Sequence, residues 1–135
     1  MKIFLISPVR KVDSKTNERI EKYVESLEEA SHKVHWPIRD TEQDDPTGGY
    51  EICRTNFRAI MCADEIHIWY DEKSNGSKFD MGGVFMLVEM IGFKKRVVIA
   101  NYEEIEDNES KSFFRVMKHL SARGGSARGG SEKSK

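Results

Sequence analysis

Short apolar runs alternate along this chain with stretches of helical period. Lys2 to Ile6 carries Ile3, Phe4, Leu5 and Ile6 in succession and is closed by Ser7-Pro8. Consecutive apolar positions predict a strand buried on both faces, as in a parallel sheet. From about Ser14 to Ser31 the period changes. Ile20, Tyr23, Val24, Leu27 and Ala30 share one stripe, with Glu and Lys elsewhere, which predicts an amphipathic helix. Lys33 to Trp36, ended by Pro37, predicts a weak second strand. Arg39 to Gly49 reads as a polar loop with four acids and three breakers; so long a loop in a small chain is usually functional or mobile. Tyr50 to Ala63 predicts a helix with Ile52, Asn56, Ala59 and Ile60 on one face. Glu65 to Tyr70 predicts a third strand, and Asp71 to Ser77 a short polar loop. Phe79 to Ile91 predicts a strongly apolar helix stopped by Gly92. Lys95 to Ala100 predicts a fourth strand, and Phe113, Phe114, Val116, Met117 and Leu120 mark a last helix.

Strand and helix therefore alternate four times. The pattern predicts an α/β fold: a flavodoxin/Rossmann-like three-layer sandwich around a mostly parallel sheet of four to five strands, with right-handed crossovers. In such sheets ligands bind beyond the carboxyl ends of the strands. That rule selects Ser7 to Arg10, Trp36 to Asp45, Asp71 to Asp80, and Asn101 onward. One domain is expected over residues 1–120. From Ser121 the chain repeats Ser-Ala-Arg-Gly-Gly twice and has no apolar side chain larger than alanine. Such a segment cannot offset its ordering entropy, so residues 121–135 are expected to be a disordered tail. Arg-Gly-Gly repeats can engage RNA, but two copies favour a passive tail.

Composition narrows the partners. At 135 residues the chain fits one domain with a real core. Its net charge of −1 gives no global electrostatic case for nucleic acid or membrane binding. No apolar run approaches the ~20 residues that span a bilayer. Lys2 to Ile6 is too short for a signal-peptide core. Cys53 and Cys62 lie nine residues apart in one predicted helix, too far along its axis to bridge. With reduced thiols and no targeting segment in view, the protein is expected in the cytoplasm. His32, His35 and His119 show no metal-ligand spacing, His67 is expected to be a satisfied core histidine, and Asp64 a strand-entry residue. No cofactor is expected. Trp36 and Trp69 could stack on a base or pack in the core. Met81, Phe85, Met86, Leu87 and Met90 make one helix so apolar that part of it is expected to bury against a second copy, in a homodimer or higher homo-oligomer.

The chemistry concentrates in Asp71-Glu-Lys-Ser74-Asn-Gly76-Ser77-Lys-Phe-Asp80-Met-Gly82-Gly83. Small residues let backbone approach a ligand, and the first free N–H groups of a helix can bind a phosphate or carboxylate, aided by Ser74 and Ser77. A bland alternative has Asp80, in the first turn, only complementing the helix dipole, and Gly82 and Gly83 only permitting close helix–sheet packing.

Ser74-x-Gly76-x-x-Phe79-Asp80-Met81-Gly82 resembles the nucleoside 2-deoxyribosyltransferase signature, in which a Ser/Asp-rich loop leads into an aromatic-Glu-Leu/Ile-Gly helix start. Asn56 to Tyr70 is similar to that family's helix, "Ala-Asp" and strand, and Met1 to Arg10 to its first strand and glycone-binding turn. The matches run in the same order over residues 1–101, and Trp36 to Asp45 is similar to one branch of the family. The resemblance implies a carboxylate that attacks the anomeric carbon of a nucleoside or nucleotide and forms a glycosyl-enzyme, which another base or water resolves. Carried over by position, Asp80 is the nucleophile. Ser74, Gly76 and Ser77 would hold the sugar 5′ end or phosphate, with Ser7 and Arg10 across the site and Arg39 and Asp40 in the loop above it.

Two positions depart from the pattern. The family nucleophile is usually Glu, and Asp80 is one methylene shorter; a setback of ~1.5 Å can cost ~100-fold in rate. Asn56 stands where the family usually has an Asp that assists the base, and an amide is no proton donor. Asp40, Asp44, Asp45 or Glu51 could substitute if the polar loop folds over the site. Three readings follow: N-glycosidic cleavage or 2-deoxyribosyl transfer; a nucleotide-binding module without turnover, marked by Asn56; and a flavin carrier, disfavoured because Ser7-Pro8-Val9-Arg10-Lys11 lacks a Ser/Thr/Gly run for the flavin phosphate.

Overall fold

The four apolar runs form one all-parallel sheet in the order β2-β1-β3-β4. The computed structural model describes residues 1–107 and 110–123. The strands are β1 (Lys2–Ile6), β2 (Lys33–His35), β3 (Glu65–Ile68) and β4 (Arg96–Ile99). The helices are α1 (Ser14–Glu29), α2 (Pro37–Asp40), α3 (Tyr50–Cys62), α4 (Asn75–Phe85) and α5 (Phe113–Arg123). A π-helical turn, Met86–Ile91, extends α4, and a 3₁₀ turn spans Tyr102–Glu104. Ile3 pairs with Val34 on one side and Glu65 on the other, and Ile66 pairs with Val97. This is the expected α/β sandwich, with four strands.

Helices cover both faces of the sheet, unequally. Phe4, Ile6, Ile66, Ile68, Val97 and Ile99 meet Ile60 of α3, Met81 and Val84 of α4, and Phe114, Met117 and Leu120 of α5. The opposite face, with Ile3, Leu5 and Val34, meets Ile20 and Val24 of α1 together with Trp36 and Trp69. One helix cannot cover that whole face with apolar groups, and polar pairs complete it. His67 Nε2 lies 2.9 Å from Glu65 Oε1, and its Nδ1 lies 2.6 Å from the Tyr23 hydroxyl. His67 is thus the satisfied core histidine its strand position predicts. Asp64, just before β3, ties the starts of the two central strands together, accepting from the Lys2 N–H at 2.8 Å.

The structure differs from the pattern at three boundaries. Pro37 opens a one-turn helix rather than merely ending a strand, because its fixed φ suits a first helical position. Arg39 and Asp40 thereby leave the polar loop. The apolar helix starts at Asn75, four residues early, because Ser74 caps it: its Oγ accepts from the Ser77 N–H at 3.2 Å. It ends where expected, with Gly92 left-handed at φ 93°. The last helix runs through Ser121 to Arg123. Ser121 is fully buried and donates to the Val97 carbonyl at 2.7 Å. The rest of the expected tail, residues 124–135, lies outside the described residues. Among the described residues no helix is long and apolar enough to cross a membrane.

Candidate functional site

The chain order places a crevice where the connections from β1 and β3 diverge, at the carboxyl end of the sheet. A cleft of about 560 Å³ lies there, a volume suited to a small-molecule ligand. Ser7, Val9, Arg10 and Lys11 line it from the turn after β1. Ile52, Cys53 and Asn56 enter from α3. Asp71, Lys73, Ser74 and the first turn of α4, with Phe79 and Asp80, close the other side.

Asp80 is the buried carboxyl on the cleft wall. The residue is 8% exposed. No hydrogen bond or ion pair reaches its carboxylate from the described residues, and burial alone raises its pKa from 3.8 to about 7. Because α4 begins at Asn75, Asp80 is its sixth residue, beyond the first turn where a helix dipole acts. Dipole complementation therefore does not account for it. Nor do the two glycines pack α4 on the sheet: a Cβ at Gly82 would meet nothing, and one at Gly83 would meet the Phe57 ring of α3.

The cleft is also rich in donors. Ser74 Oγ donates to Ser77 Oγ at 2.8 Å while it caps the helix, so these hydroxyls are mutually engaged. The N–H groups of Asn75 and Gly76 lie in the first turn and have no intrahelical partner. Ser7 Oγ is buried without a partner among the described residues, a situation that costs about 1–3 kcal/mol unless something satisfies it. Arg10, Lys11 and Lys73 have no ion-pair partner among the described residues. Lys11 also holds a left-handed φ of 58°, a strain that recurs at ligand-binding turns.

Asn56 is 6% exposed, and its Oδ1 accepts from Thr41 Oγ1 at 2.7 Å. Behind it, His35 Nε2 lies 2.7 Å from the same Thr41 oxygen. Across the sheet end, Asn101 grips the residue before the loop that leads into α4: its Oδ1 accepts from the Tyr70 N–H at 2.8 Å and its Nδ2 donates to the Tyr70 carbonyl at 3.0 Å. Cys53 is no activated thiol, since burial and then the nearby Asp80 charge raise its pKa.

The cleft thus brings together Ser7, Arg10, Asn56, Ser74, Gly76, Ser77 and Asp80. It does not bring in Arg39 and Asp40. Arg39 binds Glu28 at 2.9 Å and the Val34 carbonyl at 3.0 Å, on the far side of α2. Asp40 accepts from Arg39 and from the Trp36 N–H at 2.8 Å. Asp44, Asp45 and Glu51 also stay outside; Asp45 is spent on the N–H groups of Thr47, Gly49 and Ile52. Trp36 and Trp69 pack in the core beneath α1. The aromatic face open to the cleft is Phe79, 60% exposed and edge-on to Phe57 at 5.8 Å. Lys11, Lys73, Asp71 and Phe79 lie in segments the sequence pointed to but were given no role of their own there; their position after β1 and β3 was the available signal. Among the described residues no group of three or more His, Cys, Asp or Glu could hold a metal.

No protein-family model matches the chain, and no curated protein matches it. A solved 2-deoxyribosyltransferase from the psychrotolerant bacterium Bacillus psychrosaccharolyticus, described as a biocatalyst for nucleoside synthesis, is similar to it. The likeness covers 88% of this chain and 81% of that one, with a TM-score of 0.62 and 16% sequence identity. The chain has the nucleoside 2-deoxyribosyltransferase-like fold that Ser74-x-Gly76-x-x-Phe79-Asp80-Met81-Gly82 implied.

Proposed function

We propose that this protein cleaves the N-glycosidic bond of a nucleoside or nucleotide and transfers the 2-deoxyribosyl group to water or to another base. The observation that carries this reading is Asp80: a buried carboxylate without a hydrogen-bond or charge partner, on the wall of an open cleft. A fold maintains such a group at a cost in stability, and the cost is explained if the carboxylate reacts. The Asp80 oxygen attacks the anomeric carbon, and the bond to the base nitrogen breaks. The base leaves with the electron pair and takes a proton from solvent. Water or an acceptor base then attacks the same carbon and gives up its proton to solvent, the ester bond breaks, and Asp80 regains its charge. Arg10, Ser7 and the N–H groups of Asn75 and Gly76 hold the sugar 5′ end or its phosphate. Phe79 offers a ring against which a base stacks.

A second reading rests on Asn56. An amide cannot protonate a leaving base, and among the described residues Asp71 is the one other carboxylate lining the cleft. That favours a nucleotide-binding module whose turnover is weak or absent. Met86, Met90 and Ile91, exposed by 53%, 66% and 59%, support a homo-oligomer in either case; sedimentation as a monomer at micromolar concentration would exclude it.

Purified protein is incubated with nucleosides and their 5′-monophosphates, with and without a free acceptor base, beside Asp80→Ala. Released base that disappears in the variant supports the glycosidase reading, and a new nucleoside in the acceptor lanes supports transfer. No release, with ligand-induced thermal stabilisation, supports the binding module. Release undiminished in Asp80→Ala overturns the role of Asp80.

A further inference from the structure

Asn56 is fixed in the cleft by residues that do not line it. Its Oδ1 is occupied by the Thr41 hydroxyl at 2.7 Å. Thr41 is itself 4% exposed, anchored where its N–H donates to the Pro37 carbonyl at 3.0 Å and its carbonyl accepts from Gln43 Nε2 at 3.0 Å. A hydroxyl has one hydrogen. Once that hydrogen goes to Asn56, Thr41 Oγ1 can only accept from His35, whose Nε2 lies 2.7 Å away. His35 must then carry its proton on Nε2. The ring is held in place by stacking on Phe4, with centroids 5.2 Å apart and planes 13° from parallel. With Oδ1 turned toward Thr41, the amide presents its Nδ2 to the cleft, and no acceptor among the described residues takes it.

We propose that His35 and Thr41 act as positioning residues that present Asn56 Nδ2 to the cleft as a fixed hydrogen-bond donor, so that the site prefers a ligand with a ring nitrogen or carbonyl oxygen at that point. The ligand class rests on the nucleoside reading; the orientation of the amide does not. The alternative order of donors, with Thr41 donating to His35 and accepting from Asn56, would turn Oδ1 to the cleft and select the opposite chemistry. The His35 tautomer decides between the two.

The test has a ligand-free arm and a ligand arm. Nitrogen-15 NMR of the His35 ring in the unliganded protein at pH 8 should show the Nε2–H tautomer; the Nδ1–H tautomer overturns the proposal whatever the protein binds. In the ligand arm, affinity for 2′-deoxyadenosine 5′-monophosphate is measured for Thr41→Val, Thr41→Ser, Asn56→Ala and Thr41→Val/Asn56→Ala. Loss of one oriented hydrogen bond weakens binding roughly tenfold. Thr41→Val should lose that factor, Thr41→Ser should recover it, and the double variant should be no worse than Asn56→Ala, because Thr41 acts through Asn56. Additive losses in the double variant, or Thr41→Val binding as tightly as wild type, overturn it. If no nucleotide or nucleoside binds while the Nε2–H tautomer is seen, the nucleoside reading fails and the oriented donor stands.

Discussion

Replacing Asp80 with asparagine removes a charge and little else, since the two side chains nearly match in size. Burial raises the Asp80 carboxyl from 3.8 to about 7. The folded protein therefore binds a proton there over a pH range in which the unfolded chain has lost it. Stability must fall as pH rises through that window, between about 4 and 7, which reverses the usual behaviour of a salt-bridged aspartate. At 1.36 kcal/mol per tenfold difference in proton affinity, the ionised Asp80 costs the fold about 4 kcal/mol, against a total of roughly 5–15 kcal/mol for an ordinary domain. Asp80→Asn escapes that cost. Urea denaturation of both proteins from pH 4 to pH 8 should give nearly equal stabilities at pH 4 and a variant about 4 kcal/mol more stable at pH 8, a rise in Tm on the order of 15 °C. Other titrating groups, the half-buried His35 and the buried His67 among them, are common to both proteins and cancel in the difference. A difference that stays flat within about 1 kcal/mol across this range would refute the uncompensated burial of Asp80 and the reasoning built on it.

The same titration sets the pH dependence of any turnover: only ionised Asp80 attacks, so kcat/KM for base release should climb as pH passes through about 7, and a profile flat from pH 5 to 9 would remove Asp80 as nucleophile. Gly82→Ala and Gly83→Ala should part company, because a Cβ at Gly82 meets nothing while one at Gly83 lies 2.0 Å from Phe57 Cε1. The first should gain up to about 1 kcal/mol from helix propensity, and the second should lose about 1–3 kcal/mol from overpacking, both read by urea denaturation. Arg39→Gln should leave nucleotide affinity within twofold of wild type, since Arg39 is committed to Glu28 and the Val34 carbonyl; a tenfold loss, measured by calorimetry, would return Arg39 to the site.

The fold was legible because the strands are apolar on consecutive positions and the helices are not. Val97-Val98-Ile99 and Ile3 to Ile6 can be little else than buried parallel strands, and their order locates the crevice between β1 and β3. The loops were less legible because their structure depends on single hydrogen bonds. Nothing periodic announces that Ser74 starts a helix by accepting from Ser77, or that Asp45 is consumed by three N–H groups. Arg39 and Asp40 were misplaced for the same reason: the loop pattern shows their polarity, but Pro37 turns them away from the cleft. Thr41 escaped notice because its role needs His35 and Asn56, 6 residues before it and 15 after it in the chain, to meet.

Asp80 and Asn56 together limit what the proposed reaction could accept. A carboxylate short of its usual partners is a strong nucleophile once ionised, so forming the bond to the anomeric carbon is the less demanding half of the step. Breaking the bond to the base is the harder half, because an amide at Asn56 can stabilise charge on the departing ring but cannot supply a proton. A fixed Nδ2 donor is most useful when negative charge grows on the atom it faces, and hydrogen bonds to charged acceptors are about twice as strong as neutral ones. Under that reading the site discriminates by the basicity of the leaving ring. Nucleosides whose bases leave as weakly basic anions should turn over fastest, and Asn56→Asp, which puts a carboxylate where the donor was, should slow those substrates while favouring bases that need a proton to leave. A single rate for every base in both proteins would show that bond breaking does not depend on this position.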